Sequence, residues 1–262
     1  MRKIGIEWGF FPALPREEAI RLMKKNGFET TLVCTFESDF DGLMKDLTDN
    51  GIVCESGHAP FYGINAIWQE GEEGEQMLSS LIQGVENCAR WKIPVMVVHL
   101  SSGEHPPRIN DLGQARWDRL MEAADRLGVR IAFENLRLLG NLAYSFEQYP
   151  QAGFCWDVGH EACFAHGRRF MPLFADRMVA LHLHDNHAVH NQDEHRIPYD
   201  GILDLDLAAR EVAKSAYKGS ITLELGNVRV NYGEITAEDY YARAAKAARR
   251  FAERVEAYEK EL

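Results

Sequence analysis

Short, nearly continuous apolar runs alternate with longer amphipathic segments along the whole chain, and this rhythm constrains the fold more than any other feature. The strand candidates are Lys3–Gly9, Thr30–Thr35, Ile52–His58, Val95–Leu100, Arg130–Asn135, Gly153–Val158, Met178–Asp185 and Ser220–Gly226. Runs such as Val95-Met96-Val97-Val98 suit strands buried on both faces. Between them lie helical patterns at Arg16–Asn26, Phe40–Asn50, Gly74–Trp91, Asp111–Leu127, Phe170–Asp176 and Asp206–Ser215, with a last one at Ala237–Leu262. Pro15 with Glu17 and Glu18 marks the first helix start, and Gly27 and Gly51 mark the first two ends. Strand starts recur at about every 31 residues, the size of one βαβ unit. Eight such units describe a closed parallel (β/α)8 TIM barrel, an α/β fold that takes about 250 residues. The expectation is therefore one barrel domain over residues 1–262. An open doubly wound sheet is disfavoured, since no G-x-G-x-x-G follows the first strand.

Composition narrows the function classes. The formal charge is −11 and no run of Lys or Arg exceeds two, which argues against a protein that grips a nucleic-acid backbone. No apolar stretch approaches the roughly 18 residues of a membrane span, and no signal-peptide pattern opens the chain. The five cysteines contain no C-x-x-C pair and suit a reducing cytoplasm, each as a small buried apolar residue. Two connections are long: Ala59–Glu73, with Phe61, Tyr62, Trp68 and an acidic run, and Asn186–Asp204, dense in His, Asp and Asn. Both follow strand ends, on the face where barrel active sites are built.

The chemistry-bearing residues gather on that same face. His58 ends the third strand, His99 follows Val-Met-Val-Val, and Glu134 stands in Ile-Ala-Phe-Glu-Asn. Asp157 ends the sixth strand with His160 three residues on, His182 lies in His-Leu-His-Asp-Asn, and Glu224 in Thr-Leu-Glu-Leu. Asp193-Glu-His195 sits in the long loop after the seventh strand. Strand ends ring the barrel mouth within a side chain's reach of its axis, so these groups aim at one small volume. Four carboxylates and five imidazoles crowded together would repel or lose charge, and a divalent metal resolves that conflict. His184, His187 and His190 are expected to be polar loop residues near the site, and Arg168-Arg169 a solvated helix start.

With these pieces in order on these strands, the chain resembles the xylose isomerase-like TIM barrel superfamily, which holds sugar isomerases and epimerases and the apurinic endonuclease type 2 enzymes. The resemblance spans the barrel and is carried by Phe133-Glu134-Asn135, Asp157-Val-Gly-His160, His182-Leu-His-Asp185-Asn and Asp193-Glu-His195. In the sugar enzymes it implies one metal on Glu134, Asp157, His182 and Glu224, a hard set suited to Mn, Mg or Co. In the endonuclease branch it implies a trinuclear zinc cluster that adds His58, His99, His160, Asp193 and His195.

Two mechanisms follow from the resemblance. A sugar or sugar-phosphate isomerase or epimerase would use Glu134 and Glu224 to remove and return a proton through an ene-diolate. Its polar contacts would include Asn135 and Arg137, His160 would hold a substrate oxygen, and Trp8, Phe10, Phe61, Tyr62 and Trp68 would close over the sugar. The alternative is an endonuclease-like di- or trinuclear zinc phosphoesterase, or another small-molecule metallohydrolase. Ketose 3-epimerases of the superfamily carry a second Glu and an Arg where this chain has Gly140 and Ala188, so the sugar stays open. The expected partner is a small carbohydrate. Barrels of this sort often form homo-oligomers, and no segment here singles out an interface.

Overall fold

A computed structural model describes residues 2–262. The strands are β1 (Ile4–Glu7), β2 (Thr30–Cys34), β3 (Val53–His58), β4 (Val95–Val98), β5 (Arg130–Glu134), β6 (Gly153–Asp157), β7 (Met178–His182) and β8 (Ile221–Leu223). The helices are α1 (Arg16–Lys25), α2 (Phe40–Asp49), α3 (Glu72–Arg90), α4 (Asp111–Leu127), α5 (Leu139–Gln148), α6 (Val158–Phe164), α7 (Met171–Phe174), α8 (Leu205–Lys214), α9 (Val228–Tyr232) and α10 (Ala237–Glu259). Every ladder is parallel, and the sheet runs β7-β6-β5-β4-β3-β2-β1-β8. A parallel bridge between Leu183 and Leu223 joins the two ends, with Leu183 N–H donating to the Thr222 carbonyl at 3.0 Å. The ring is closed, and the fold is a (β/α)8 TIM barrel.

All eight anticipated strands are present. Three helices escaped the sequence pattern. α6 spans seven residues and α9 five, too short to show a helical period. α5, Leu-Gly-Asn-Leu-Ala-Tyr-Ser-Phe-Glu-Gln, carries one charged residue and so lacks the polar face that makes a period visible. The Ala59–Glu73 connection also contains a 3-10 turn at Ile64–Trp68. No helix among the described residues is long and apolar enough to cross a membrane.

Alternation along each strand splits the apolar residues into two cores. Outward residues such as Ile4, Ile6, Val33, Met96, Val98, Ile131, Phe133, Phe154, Trp156, Leu181 and Leu223 pack against the helices in one large cluster. Burial of each such side chain contributes about 1.5–3 kcal/mol. Inward residues Val95, Val97, Ala132, Cys155 and Ala180 form a second, smaller cluster. They are small because parallel strands converge on a narrow axis. Helix α10 closes the outside over β8 and β1, burying Tyr240, Ala244, Ala248, Phe251 and Val255 at helical spacing.

Candidate metal centre

Two residues beyond the inward cluster, the same alternation brings the chemistry-bearing side chains into the mouth. His99 follows Val97, Glu134 follows Ala132, Asp157 follows Cys155 and His182 follows Ala180, each at the next inward position. Glu134 is the hub. Its Oε2 lies 2.8 Å from His99 Nε2 and 3.3 Å from His58 Nε2. Its Oε1 lies 3.1 Å from His182 Nδ1 and 3.2 Å from His160 Nδ1. Glu224 reaches the same His182 Nδ1 from the opposite side of the seam, at 3.2 Å.

Asp157 links this group to a second one. It ends β6 and caps α6, its Oδ1 accepting from the His160 backbone N–H at 2.6 Å. That cap fixes the first turn of α6 and turns the His160 ring into the mouth. His160 Nε2 then lies 3.1 Å from Asp193 Oδ2, and His195 Nε2 lies 2.9 Å from the same oxygen. The loop carrying Asp193 and His195 is pinned by reciprocal backbone bonds between Asp185 and Arg196, both 2.9 Å. The Asp185 carboxylate accepts from the backbone of Asn186, Tyr199 and Leu203, which ties the loop back to the end of β7. His195 itself sits at φ +49°, a left-handed conformation uncommon for a residue with a Cβ.

The electrostatics show buried charge of both signs, held by close contact between carboxylates and imidazoles. Burial favours a neutral Glu134, yet the neighbouring His182 and His99 hold its carboxyl well below the usual range. Burial also opposes charge on His160, while Asp157 and Asp193 push it well above the usual imidazole value. His195 is raised to about 10, the Asp193 hydrogen bond outweighing the cost of burial. His182 Nε2, His184 Nδ1 and Asp193 Oδ1 are buried without a hydrogen-bond partner, and His160 Nδ1 and Glu224 Oε2 meet an oppositely charged neighbour at 3.2 Å outside hydrogen-bond geometry. Such atoms are costly to bury unpaired, and a shared cation would satisfy those that face the mouth. Three sets have donor atoms within 4.8 Å of one another: Glu134, Asp157, His182 and Glu224; His58, Glu134 and His182; and His160, His184, Asp193 and His195. The donor chemistry fits divalent metal, oxygen-rich in the first set and nitrogen-rich in the last.

All nine ligand-type residues singled out in the sequence therefore converge. The other candidates divide. Arg137 lines a cleft beside Glu134 with Ser101, Ser102 and Asn141. Its guanidinium lies 3.7 Å over the Phe164 ring, and its Nε donates to Asn191 Oδ1. Phe61 packs edge-on against His58, with Tyr62 tilted against it and largely exposed. Trp8 is partly buried at the end of β1, against the outer core. Two residues sit elsewhere than expected. Trp68 is 3% exposed, donates its indole N–H to the Leu100 carbonyl and rests on Gly113, so it is wall rather than lid. Asn135 spends its amide on both backbone groups of Asp157, bridging β5 to β6.

Two residues were missed. His184, expected to be a polar loop residue, is fully buried with its Nε2 3.1 Å from Asp157 Oδ1. Glu7 ends β1 and is raised to about 8 by burial and by repulsion from Glu224. Alternation through Ile4-Gly5-Ile6-Glu7 was the available signal, since it puts Glu7 on the inward face. Gly140 and Ala188, the departures from the ketose epimerase pattern, offer no charged group; Gly140 has no neighbour within 4 Å of a would-be Cβ.

Comparison with known proteins agrees with this architecture. A family model described as Xylose isomerase-like TIM barrel matches residues 7–252. A protein of Sinorhizobium fredii (strain NBRC 101917 / NGR234), described as Uncharacterized protein y4fM, is 31% identical over 204 residues. That match covers 72% of this chain and 63% of the relative, so the chain spans under two thirds of that protein's length. The D-psicose 3-epimerase from Clostridium cellulolyticum H10, solved with D-tagatose, aligns with TM-score 0.77 at 14% identity, over 97% of this chain and 99% of that one. The IolI protein with a binding zinc atom aligns with TM-score 0.74 at 15% identity, over 98% of this chain and 99% of that one. At such identities the shared property is the fold.

Proposed function

The chain belongs to the xylose isomerase-like TIM barrel family, and from that premise we propose that it is a metal-dependent isomerase or epimerase of a sugar or sugar phosphate. One observation carries the proposal: Glu134, ending β5, and Glu224, just past β8, converge on the same His182 nitrogen at 3.1 and 3.2 Å. Proton transfer next to a carbonyl can use a pair of carboxylates, one to take a proton and one to give it, and this pair lies close enough to act on one substrate. Glu134, Asp157, His182 and Glu224 would hold the ion. When bound, it supplies Lewis-acid polarisation of the sugar carbonyl and hydroxyl.

The protein's own groups do the rest. Neighbouring imidazoles hold Glu134 well below the usual carboxylate range, and His182 does the same for Glu224, so each is ionised and able to take a proton. One carboxylate removes the proton beside the carbonyl, and the other, once it has taken a proton from solvent, gives it to the ene-diolate. Ser101, Asn141 and Arg137, in the cleft beside Glu134, offer hydroxyl, amide and guanidinium donors to a polyhydroxylated chain. Phe61 and Tyr62 supply an apolar edge above His58 and His99.

The test is deuterium exchange. Protein loaded with Mn, Mg or Co is incubated in D2O with ketoses and ketose phosphates, and label at the carbon beside the carbonyl is read by NMR. Exchange that disappears in Glu134→Gln and Glu224→Gln, with unchanged far-UV circular dichroism, supports the assignment. Unchanged turnover in both variants would sink these roles. A second reading is favoured by the His58–Glu134–His182 set and by the nitrogen-rich set around Asp193: a multinuclear metallohydrolase of small phosphate esters. Its signature is release of inorganic phosphate without solvent deuterium in the sugar. The −11 charge disfavours duplex DNA as the ester.

A further inference from the structure

We propose that Arg137 anchors an anionic substituent of the substrate, a carboxylate or phosphate carried at the end of the sugar remote from its reacting carbonyl. The proposal narrows the substrate class, and it rests on the isomerase or epimerase reading above for which end of the sugar lies at the metal centre.

The cleft beside Glu134 runs between the loop after β4, with Ser101 and Ser102, and the segment that opens α5, with Arg137 and Asn141. Among the described residues that line it, Glu134 is the one carboxylate, and the imidazoles of His58, His99, His160 and His182 already surround it. Among the described residues the Arg137 guanidinium meets the Phe164 ring and Asn191 Oδ1, and pairs with no carboxylate. Arg196, in the loop that carries Asp193 and His195, is by contrast paired with Glu194 at 2.8 Å.

The contacts that hold Arg137 also define its open edge. The guanidinium carbon lies 3.7 Å over the Phe164 ring, and Nε donates to Asn191 Oδ1 at 3.2 Å. Asn191 is fixed in turn, with its backbone N–H on the Cys163 carbonyl at 3.1 Å and its side-chain amide on Glu104. Glu104 is thereby engaged with Asn191 and His190 rather than with Arg137. One face and one nitrogen of the guanidinium are taken. The two Nη atoms remain, and they form the planar fork that matches two oxygens of a carboxylate or phosphate. A neutral hydroxyl meets that fork with one oxygen; an oxyanion meets it with two and brings the missing charge. Ser101 adds a donor from the facing wall: it is buried, and its Oγ accepts from Asn141 Nδ2 at 2.9 Å, which leaves its hydroxyl hydrogen to give. The rival role for Arg137 is mechanical. Phe164 also packs on the His160 ring, at 4.9 Å, so that Arg137 steadies a residue of the mouth through it.

Binding of unreactive probes separates the two roles. Metal-loaded protein is titrated calorimetrically with pentitols and hexitols, their terminal phosphates and the matching aldonates, none of which has a ketone or aldehyde to turn over. Wild type is expected to bind a charged probe about 10–100-fold more tightly than its neutral parent, the scale of charge-assisted hydrogen bonds. Arg137→Gln, checked by circular dichroism, is expected to lose that preference while binding the neutral probe as wild type does. Arg137→Lys should recover part of it, because the charge returns without the fork. A preference confined to phosphates or to aldonates identifies the anion. The proposal is overturned if wild type prefers no charged probe, or if Arg137→Gln keeps the preference, as an anion bound on the metal would. It is equally overturned if Arg137→Gln weakens neutral and charged probes alike, as the mechanical role requires. The wild-type comparison needs no variant and decides even where Arg137→Gln fails to fold. Deuterium exchange remains a separate readout: no exchange, with an Arg137-dependent preference, removes the isomerase reading and leaves the anion site standing.

Discussion

Two inward layers of one barrel, two residues apart on the same strands, have different chemistry. The lower layer includes Val97, Ala132, Cys155 and Ala180; the upper has His99, Glu134, Asp157 and His182 in the corresponding places. Burial does not separate them, since Ala132 and Asp157 are both inaccessible and Val97 and His182 likewise. Position along the strand does. The lower layer has neighbours on all sides and gains by being apolar. The upper layer faces the mouth and carries buried charge that is held because carboxylates and imidazoles sit against one another. The family's fold thus divides stability from function along the barrel axis, within individual strands.

Four perturbations probe that division. The largest effect belongs to Glu134→Gln and Glu224→Gln, which should each reduce turnover by about 10²–10⁴-fold, as removal of a proton-transfer group does. Steady-state rates beside circular dichroism check this, and a collapse of structure in both would put these residues in the stabilising layer instead. Next comes metal removal. An ion held in the mouth at about a thousand times its Kd stabilises the fold by about 4 kcal/mol, so a chelator should lower Tm by several degrees and readdition restore it. A Tm indifferent to chelator would erase the distinction between the layers. A third test turns to the lower layer, where Ala180→Leu overpacks a filled interior and should cost about 1–3 kcal/mol in a denaturant titration.

The last perturbation is read against pH and concerns Glu7. Its carboxyl is raised from 4.5 to about 8, so the folded protein keeps a proton that the unfolded chain releases. The folded state is therefore favoured at low pH, and that contribution is lost as pH rises from about 4.5 through 8. In metal-free protein, Glu7→Gln should then gain in relative Tm between pH 5 and pH 9, by a few degrees. A constant difference across that range would show that Glu7 ionises normally.

Much of this was legible in the chain. The eight strands stood out because two-sided burial makes them continuous apolar runs, as in Val95–Val98. The nine ligand-type residues stood out because ionisable groups follow such runs. α5 and α6 were hidden, one for want of a polar face and the other by its length. Glu7 was hidden because no second acidic or imidazole group flags it locally; its partner Glu224 lies across the β1–β8 ladder. The sequence pattern leaves His184 in the loop because it stands just past β7, and only the packing of Gly159 beneath its ring reveals its burial. Trp68 looked like a rim aromatic, and its indole hydrogen bond to Leu100 is a tertiary contact no local pattern announces.

A metal centre in the upper layer can be counted directly. Elemental analysis of metal per chain tests it most directly, on protein purified without chelator and then equilibrated separately with Mn, Co and Zn. The comparison is wild type against His182→Ala in the upper layer and Ala180→Ser in the lower. At least one bound divalent ion per chain is expected in wild type and in Ala180→Ser, and one fewer in His182→Ala. No bound ion under any of the three metals, or equal content in all three proteins, would contradict it.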